Sequence, residues 1–354
     1  MREVLSTWGP AIDEAIAEVL PREIDDAYLA SFFGTPTFDY DAEAIQAGLA
    51  DPVWDLLDRG GKRWRSVLFL VLVDAFGADP EAHLRFATIP EILHTGTIIV
   101  DDVEDEAELR RGEPALHRVY GRDVALNAGN ALYFIPLKLV TGDGVHSDAE
   151  RQLAAYRMLT YELNRTHLGQ GMDIDWHNRR RSEVSENEYL EMCACKTGCL
   201  ARITARLAAI VTDQSESVER AVATYAERMS VGFQIIDDVL DLEHSLGEAG
   251  EFGKAFGNDI REGKTTLMVI HALTEADPER AERLQSVLAD PDPSDEAVLD
   301  AIEIIQDTGA VEYSRERAII LADEARAAIE DLDLEPEPAE NLREFPGFMI
   351  DRQH

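Results

Sequence analysis

The chain has 354 residues, 45% of them hydrophobic, enough for one large domain or two ordinary ones with a sizeable core. Its formal net charge of −37 excludes attraction to nucleic acid or to an anionic membrane surface through bulk electrostatics. Only five of the 33 basic residues are lysines: Lys62, Lys138, Lys196, Lys254 and Lys264. A surface rich in Asp and Glu and nearly without Lys predicts adaptation to high internal salt, where screening relieves self-repulsion. The lysines that remain then become candidates for function. Cys193, Cys195 and Cys199 share one segment, with no disulfide framework and no paired C-x-x-C site, and read as small core residues. No basic stretch followed by an apolar one opens the chain, so no signal peptide is expected. The longest purely apolar run, Val67–Val73, is too short to span a bilayer. The expectation is a soluble, cytoplasmic protein.

In chain order, the spacing predicts a helix over Met1–Leu20, ended by Pro21, and a loop over Phe32–Asp41. A helix follows over Asp41–Asp58. The basic turn RGGKRWR, Arg59–Arg65, then opens a strongly apolar helix through Phe76. Gly60 and Gly61 let backbone approach a ligand, and Lys62 and Arg65 fall three apart at a helix start, a setting that favours anions and diphosphate in particular. Pro80 begins a helix that passes His94 and enters an acidic stretch. Helices are also predicted over Pro114–Val140, Asp148–Asp175, Glu188–Val211 and Glu216–Leu242, with loops at Gly142–Gly144 and Asn178–Glu186. The polar, Gly-rich segment Glu243–Lys264 reads as a flexible loop, amphipathic helices follow from Thr265, and Glu335–Glu340 with its two prolines reads as a break before a short tail. No convincing strand alternation occurs. The fold class expected is all-α: a single large helical bundle around a central cavity, one domain over 1–354 with a core of about 41–330.

Two acidic clusters stand out. Asp101, Asp102, Glu104 and Asp105 fall within TIIVDDVEDEAELRRG, and Asp237, Asp238 and Asp241 within GFQIIDDVLD. Residues four apart share a helix face, so Asp101 stacks with Asp105 and Asp237 with Asp241; His94 lies two turns before Asp101 on the same side. Carboxylates this close repel one another, and hard divalent cations are the usual remedy. If both clusters face one cavity, they bind several Mg²⁺, while Lys62, Arg65, Arg110, Arg111, Lys196, Lys254 and Lys264 supply cations for phosphate oxygens. Apolar helices leading to the clusters suit an oily chain. The residues alone point to a Mg²⁺-dependent enzyme that cleaves the carbon–oxygen bond of an apolar diphosphate.

The motifs GGKRWR, DDVEDEAELRRGEPALH, GQGMDIDW, KTG, GFQIIDDVLD and GKAFGNDIREGKTT occur in this order from Gly60 to about Thr265. Together they resemble the trans-isoprenyl diphosphate synthases, the polyprenyl synthetase family, and within it the geranylgeranyl diphosphate synthases. DDxxD alone is shared with terpene cyclases; two such clusters with RRG, KT, FQ and GK at this spacing are specific. The resemblance implies an isoprenoid-synthase-like fold, three Mg²⁺ per site and a homodimer. It implies that Asp101, Asp105, Asp237 and Asp241 bind metal with Asp102 and Asp238 in support. By the same resemblance Arg110, Lys196, Thr197, Gln234, Lys254 and Lys264 hold an allylic diphosphate (dimethylallyl, geranyl or farnesyl), and Lys62, Arg65, His94 and Arg111 hold isopentenyl diphosphate. Four of the five lysines fall on such positions.

By the same resemblance, residues one turn before the first cluster line the product cavity, and small ones there, Gly96 and Thr97, leave it open past the farnesyl stage, with its floor on the helix of Tyr133 and Phe134 or at a dimer interface. A twenty-carbon product is expected, with twenty-five carbons or more as the alternative. A terpene cyclase lacks need of Lys62, Arg65 and Arg111, and a regulatory subunit loses acidic residues that are all retained here. The one departure is Val100 before Asp101, where many relatives carry His; it is expected to face away from the metals.

Overall fold

A computed structural model describes residues 1–141, 148–244 and 257–351. Among the described residues the chain is all-α apart from one two-residue strand pair, as its periodicity predicts. Its residues divide into two compact units, Met1–Leu159 with Leu207–Gln214, and Thr160–Arg206 with Ser215–His354.

The first unit begins with α1 (Arg2–Val19) and α2 (Asp26–Phe33). The short α3 (Ala42–Ile45) runs through a π-helical turn, Gln46–Ala50, into α4 (Asp51–Asp58). Then come α5 (Trp64–Ala75), α6 (Leu84–Glu104), the strands β1 (Leu109–Arg110) and β2 (Glu113–Pro114), α7 (Leu116–Val119) and α8 (Arg122–Thr141). The predicted helix over Pro114–Val140 is thus interrupted at Gly121, whose φ of 93° no residue with a Cβ readily adopts. α5 is buried all round: Val67, Leu68, Phe69, Leu70, Leu72 and Val73 are wholly inaccessible, and each contributes about 2 kcal/mol on burial. It packs on α1 and α6.

α6 and α8 lie unusually close because each carries a glycine at the crossing. A Cβ on Gly96 would stand 2.8 Å from the Leu132 Cβ and 2.9 Å from the Gly129 carbonyl, and one on Gly129 would stand 2.8 Å from Val100 Cγ2. Any larger side chain at either position would drive the helices apart.

α9 (Ala149–Arg179) and α11 (Gly198–Val211) have residues in both units. The second unit continues with α10 (Glu186–Lys196), α12 (Glu216–His244), α13 (Asn258–Arg261), α14 (Leu267–Glu275), α15 (Pro278–Ala289), α16 (Asp295–Asp307), α17 (Ala310–Ala328) and α18 (Pro336–Ile350). α10 starts two residues earlier than its apolar pattern, because Ser185 and Glu188 close a reciprocal capping box. Glu335–Glu340 is no break before a tail: it opens α18, since proline in the first turn has no backbone hydrogen bond to lose. α12 packs against α17 and α18. Val239, Leu242, Met268, Leu284, Val298, Ile302 and Ile305 form one core of this unit, and Tyr189, Ile235, Ile236, Leu267 and Leu321 a second.

Candidate active site

In the first unit the acidic residues sit at the C-terminal end of α6. Asp101 is half-buried, Asp105 is exposed, and the Asp105 N–H donates to the Asp101 carbonyl at 2.8 Å, so the two lie one helical turn apart. Asp102 is buried. Its Oδ1 accepts from Arg110 Nε at 2.8 Å and also from Arg110 Nη2. Its Oδ2 is buried with no partner among the described residues. Burial pushes the Asp102 carboxyl up, and the Arg110 guanidinium opposes that shift. Val100 is buried, with its Cγ2 against Gly129 of α8.

Arg110 is placed by the β1–β2 hairpin, whose two turn residues, Arg111 (φ 56°) and Gly112 (φ 79°), both have the positive φ of a type I′ turn. Two arginines lock this hairpin to the basic loop before α5 by exchanging backbone bonds. Arg59 Nη1 donates to the Pro114 carbonyl at 2.8 Å and the Arg110 carbonyl at 3.3 Å. Arg111 Nη1 donates to the Leu56 carbonyl at 2.9 Å and to the Gly60 carbonyl. Lys62 of that loop is exposed, while Arg65 is buried with its guanidinium 4.3 Å from the Trp64 ring.

His94, two turns before Asp101, ties these pieces together. Its Nδ1 is buried without a hydrogen-bond partner among the described residues. Desolvation first, then the charges of Arg65, Arg111, Arg110 and Arg63, hold its pKa well below the ordinary 6.5, so the ring is neutral at pH 7. Four guanidiniums thus act on one neutral imidazole, in a chain of net charge −37; two of them, Arg63 and Arg110, are paired with carboxylates. Gly96 serves the α6–α8 crossing, and the Thr97 hydroxyl donates to the His94 carbonyl at 2.8 Å. Tyr133 on α8 lies within the field of Glu104 and Asp101, which add to burial in raising its phenol pKa; Phe134 is exposed.

In the second unit a glycine again makes the geometry. A Cβ on Gly169 of α9 would stand 2.3 Å from the Lys196 backbone nitrogen, so α9 and α10 nearly touch there. Lys196 Nζ consequently reaches Asp173 Oδ2 at 2.5 Å. The helix breaks after Lys196, and the Thr197 hydroxyl donates to Gln234 Oε1 at 3.0 Å. Gln234 Nε2 donates to Asp238 Oδ1 at 2.9 Å, and the buried Tyr189 hydroxyl donates to Asp238 Oδ2 at 2.6 Å. Asp238 is pushed up to about 7, by burial first and then by the charges of Asp259 and Asp237, against the lowering effect of its two hydrogen bonds. Asp237 and Asp241 are half-buried on the same helix. Lys264 pairs with Glu262 at 2.8 Å and Asp259 at 3.3 Å. Lys254, with most of the loop predicted over Glu243–Lys264, lies outside the described residues.

Among the described residues no three His, Cys, Asp or Glu side chains gather into a ready-made metal site. The donors nevertheless fit a hard divalent ion of the magnesium kind, which takes one or two carboxylates and completes its shell with water and phosphate oxygens. The charges that raise Asp238 are those such an ion relieves. Sequence reasoning missed Arg59, Arg63 and Tyr189. A basic residue inside a basic turn carries no sign of being buried, and Tyr189 is 49 positions from the carboxylate it holds.

Comparison with known proteins agrees with these observations. The sequence model of the family described as polyprenyl synthetase matches residues 46–305. A short chain isoprenyl diphosphate synthase of Methanothermobacter thermautotrophicus is 35% identical over 301 residues, covering 84% of this chain and 89% of that protein. A geranylfarnesyl diphosphate synthase of Natronomonas pharaonis is 31% identical over 316 residues, covering 84% and 88%. The crystal structure of a geranylgeranyl pyrophosphate synthetase from Pyrococcus horikoshii superposes with a TM-score of 0.83 at 27% identity, covering 99% of each chain. The chain belongs to the polyprenyl synthetase family and is a trans-prenyltransferase.

Proposed function

We propose that this enzyme condenses isopentenyl diphosphate with allylic diphosphates (dimethylallyl, geranyl and farnesyl) and releases geranylgeranyl diphosphate. The observation that carries this reading is the orphaned, buried Nδ1 of His94 among Arg63, Arg65, Arg110 and Arg111. Neutral His94 would donate to a diphosphate oxygen while Lys62, Arg65 and Arg111 balance the charge. Lys196, Thr197, Gln234, Lys254 and Lys264, with Arg110, would hold the allylic diphosphate. Asp101, Asp105, Asp237 and Asp241 would hold three Mg²⁺, with Asp102 and Asp238 as supports. Bound there, Mg²⁺ supplies Lewis-acid stabilisation of the departing diphosphate. The allylic carbon–oxygen bond breaks, the isopentenyl double bond attacks the carbocation, and the proton lost passes to the released diphosphate. No side chain need act as base.

A longer product is the second reading, favoured by the relative named as a geranylfarnesyl synthase. We further propose a cytoplasmic homodimer, one domain per chain, adapted to high salt. Among the described residues no helix is long and apolar enough to cross a membrane. Phe134 on α8 and Leu153, Tyr161 and Leu168 on α9 are large exposed hydrophobic side chains that a second copy would cover. The test is elongation in molar KCl with Mg²⁺, labelled isopentenyl diphosphate and each primer in turn. A ladder ending at twenty carbons supports the first reading, an end at twenty-five the second, and no elongation by folded protein removes both.

A further inference from the structure

We propose that Arg63 is a positioning residue for the isopentenyl diphosphate site, holding in place the loop that carries Lys62 and leads to Arg65. The inference rests on the reading just given and adds a residue to it. Arg63 sits between an exposed lysine and a buried arginine, yet it is itself buried. Each of its three guanidinium nitrogens donates to a different element of the first unit. Nε donates to Asp13 Oδ1 on α1 at 2.9 Å, Nη1 to Glu91 Oε1 on α6 at 2.8 Å, and Nη2 to the Leu57 carbonyl of α4 at 3.1 Å. With these bonds made and Glu91 and Asp13 matching its charge, Arg63 acts through its neighbours and is no phosphate ligand itself.

The backbone supports this role. Arg63 is the N-cap of α5 and lies in the left-handed region, φ 49° and ψ 24°, an unfavourable conformation for a residue with a Cβ. Such a conformation persists where the surroundings over-determine it, and three anchors on three helices do so here. Gly61, at φ 152°, completes the arrangement: a Cβ there would come 3.0 Å from Arg63 Nη1 and 3.3 Å from Arg111 Nη2. The loop is wedged between two guanidiniums, one tied to Glu91 and the other to the Leu56 carbonyl. Glu91 is itself buried and lies three residues before His94 on α6, on the same side of that helix. The Arg63–Glu91 pair therefore sets the loop against the helix that carries His94.

Arg63→Gln, Arg63→Lys and Glu91→Gln test the assignment. The KM for isopentenyl diphosphate is measured at saturating farnesyl diphosphate and the reverse KM at saturating isopentenyl diphosphate, with circular dichroism melting of each variant. Displacing the loop raises the isopentenyl KM by about tenfold in Arg63→Gln, while the farnesyl KM stays within about twofold. Arg63→Lys, which keeps the charge but not the fork, recovers less than half of that loss. Glu91→Gln keeps an acceptor for Arg63 and falls between wild type and Arg63→Gln. Should Arg63→Gln not fold, the double variant Arg63→Gln/Glu91→Gln removes both buried charges together and is read in its place. An unchanged isopentenyl KM in a folded variant, or equal rises in both KM values, overturns the positioning role. Wild-type protein that elongates no primer overturns the functional reading instead.

Discussion

The two acidic motifs look alike in sequence and differ in electrostatic setting. At the end of α6 the second aspartate, Asp102, is matched by a cation, Arg110. On α12 the corresponding Asp238 is held by two neutral donors, Tyr189 and Gln234, with Asp237 and Asp259 adding negative charge. A neutral hydrogen bond orients a carboxylate without cancelling its charge, whereas an arginine does both. Asp102 therefore has part of its charge compensated within the chain, whereas Asp238 is oriented by its two hydrogen bonds without a matching cation from either donor.

The sharpest break of this contrast is Arg110→Ala. It leaves a buried carboxylate uncompensated, a destabilisation of about 3 kcal/mol, seen as a large fall in the urea midpoint. On the proposed reading the same variant also removes a diphosphate ligand, and elongation should fall with it. Next comes Gly96→Ala, whose Cβ must displace Leu132 or the Gly129 carbonyl. It is expected to cost about 2 kcal/mol, to lower Tm, and to leave product length unchanged. A shortened product would mean that position 96 lines the cavity after all. Tyr189→Phe deletes one neutral hydrogen bond to Asp238 and costs about 1 kcal/mol of stability. Because Asp238 loses orientation only, the loss of rate should be recovered in part by raising Mg²⁺; Arg110→Ala should not be recovered in that way.

The smallest effect is in pH. His94 has a folded pKa below its ordinary 6.5, so the unfolded chain takes up a proton there that the folded chain refuses. Its neutral form is fully accommodated above about pH 6.5, and stability declines as pH falls below that value. His94→Asn should flatten this part of the stability curve between pH 6.5 and 5, measured by urea unfolding. An unaltered slope would show that His94 is not held neutral by its arginines.

Much of this was legible beforehand. The apolar run that ends in Asp101–Asp105 predicts α6 and its exit into the RRG segment, and the spacing of Asp237 and Asp241 predicts their shared face on α12. Single bonds across long separations were not legible. Arg63 is one basic residue among four in RGGKRWR, and its αL backbone and its bonds to Asp13, Glu91 and the Leu57 carbonyl, none visible in the sequence, distinguish it from a solvated one. Gly96 reads as small for either of two reasons, an open cavity or a close helix crossing, and sequence alone does not separate them. The prolines at 336 and 338 signal a boundary, but whether a helix ends or begins there depends on the packing of Leu342 and Phe345, which are fully buried.

The most direct test is equilibrium binding of isopentenyl diphosphate to the purified chain in molar KCl, by calorimetry, with wild type beside Arg65→Gln. If the His94 cluster is the diphosphate site, wild type binds one molecule per chain and Arg65→Gln weakens binding by about tenfold or more. Equal affinity in the two proteins, both folded, would contradict the assignment.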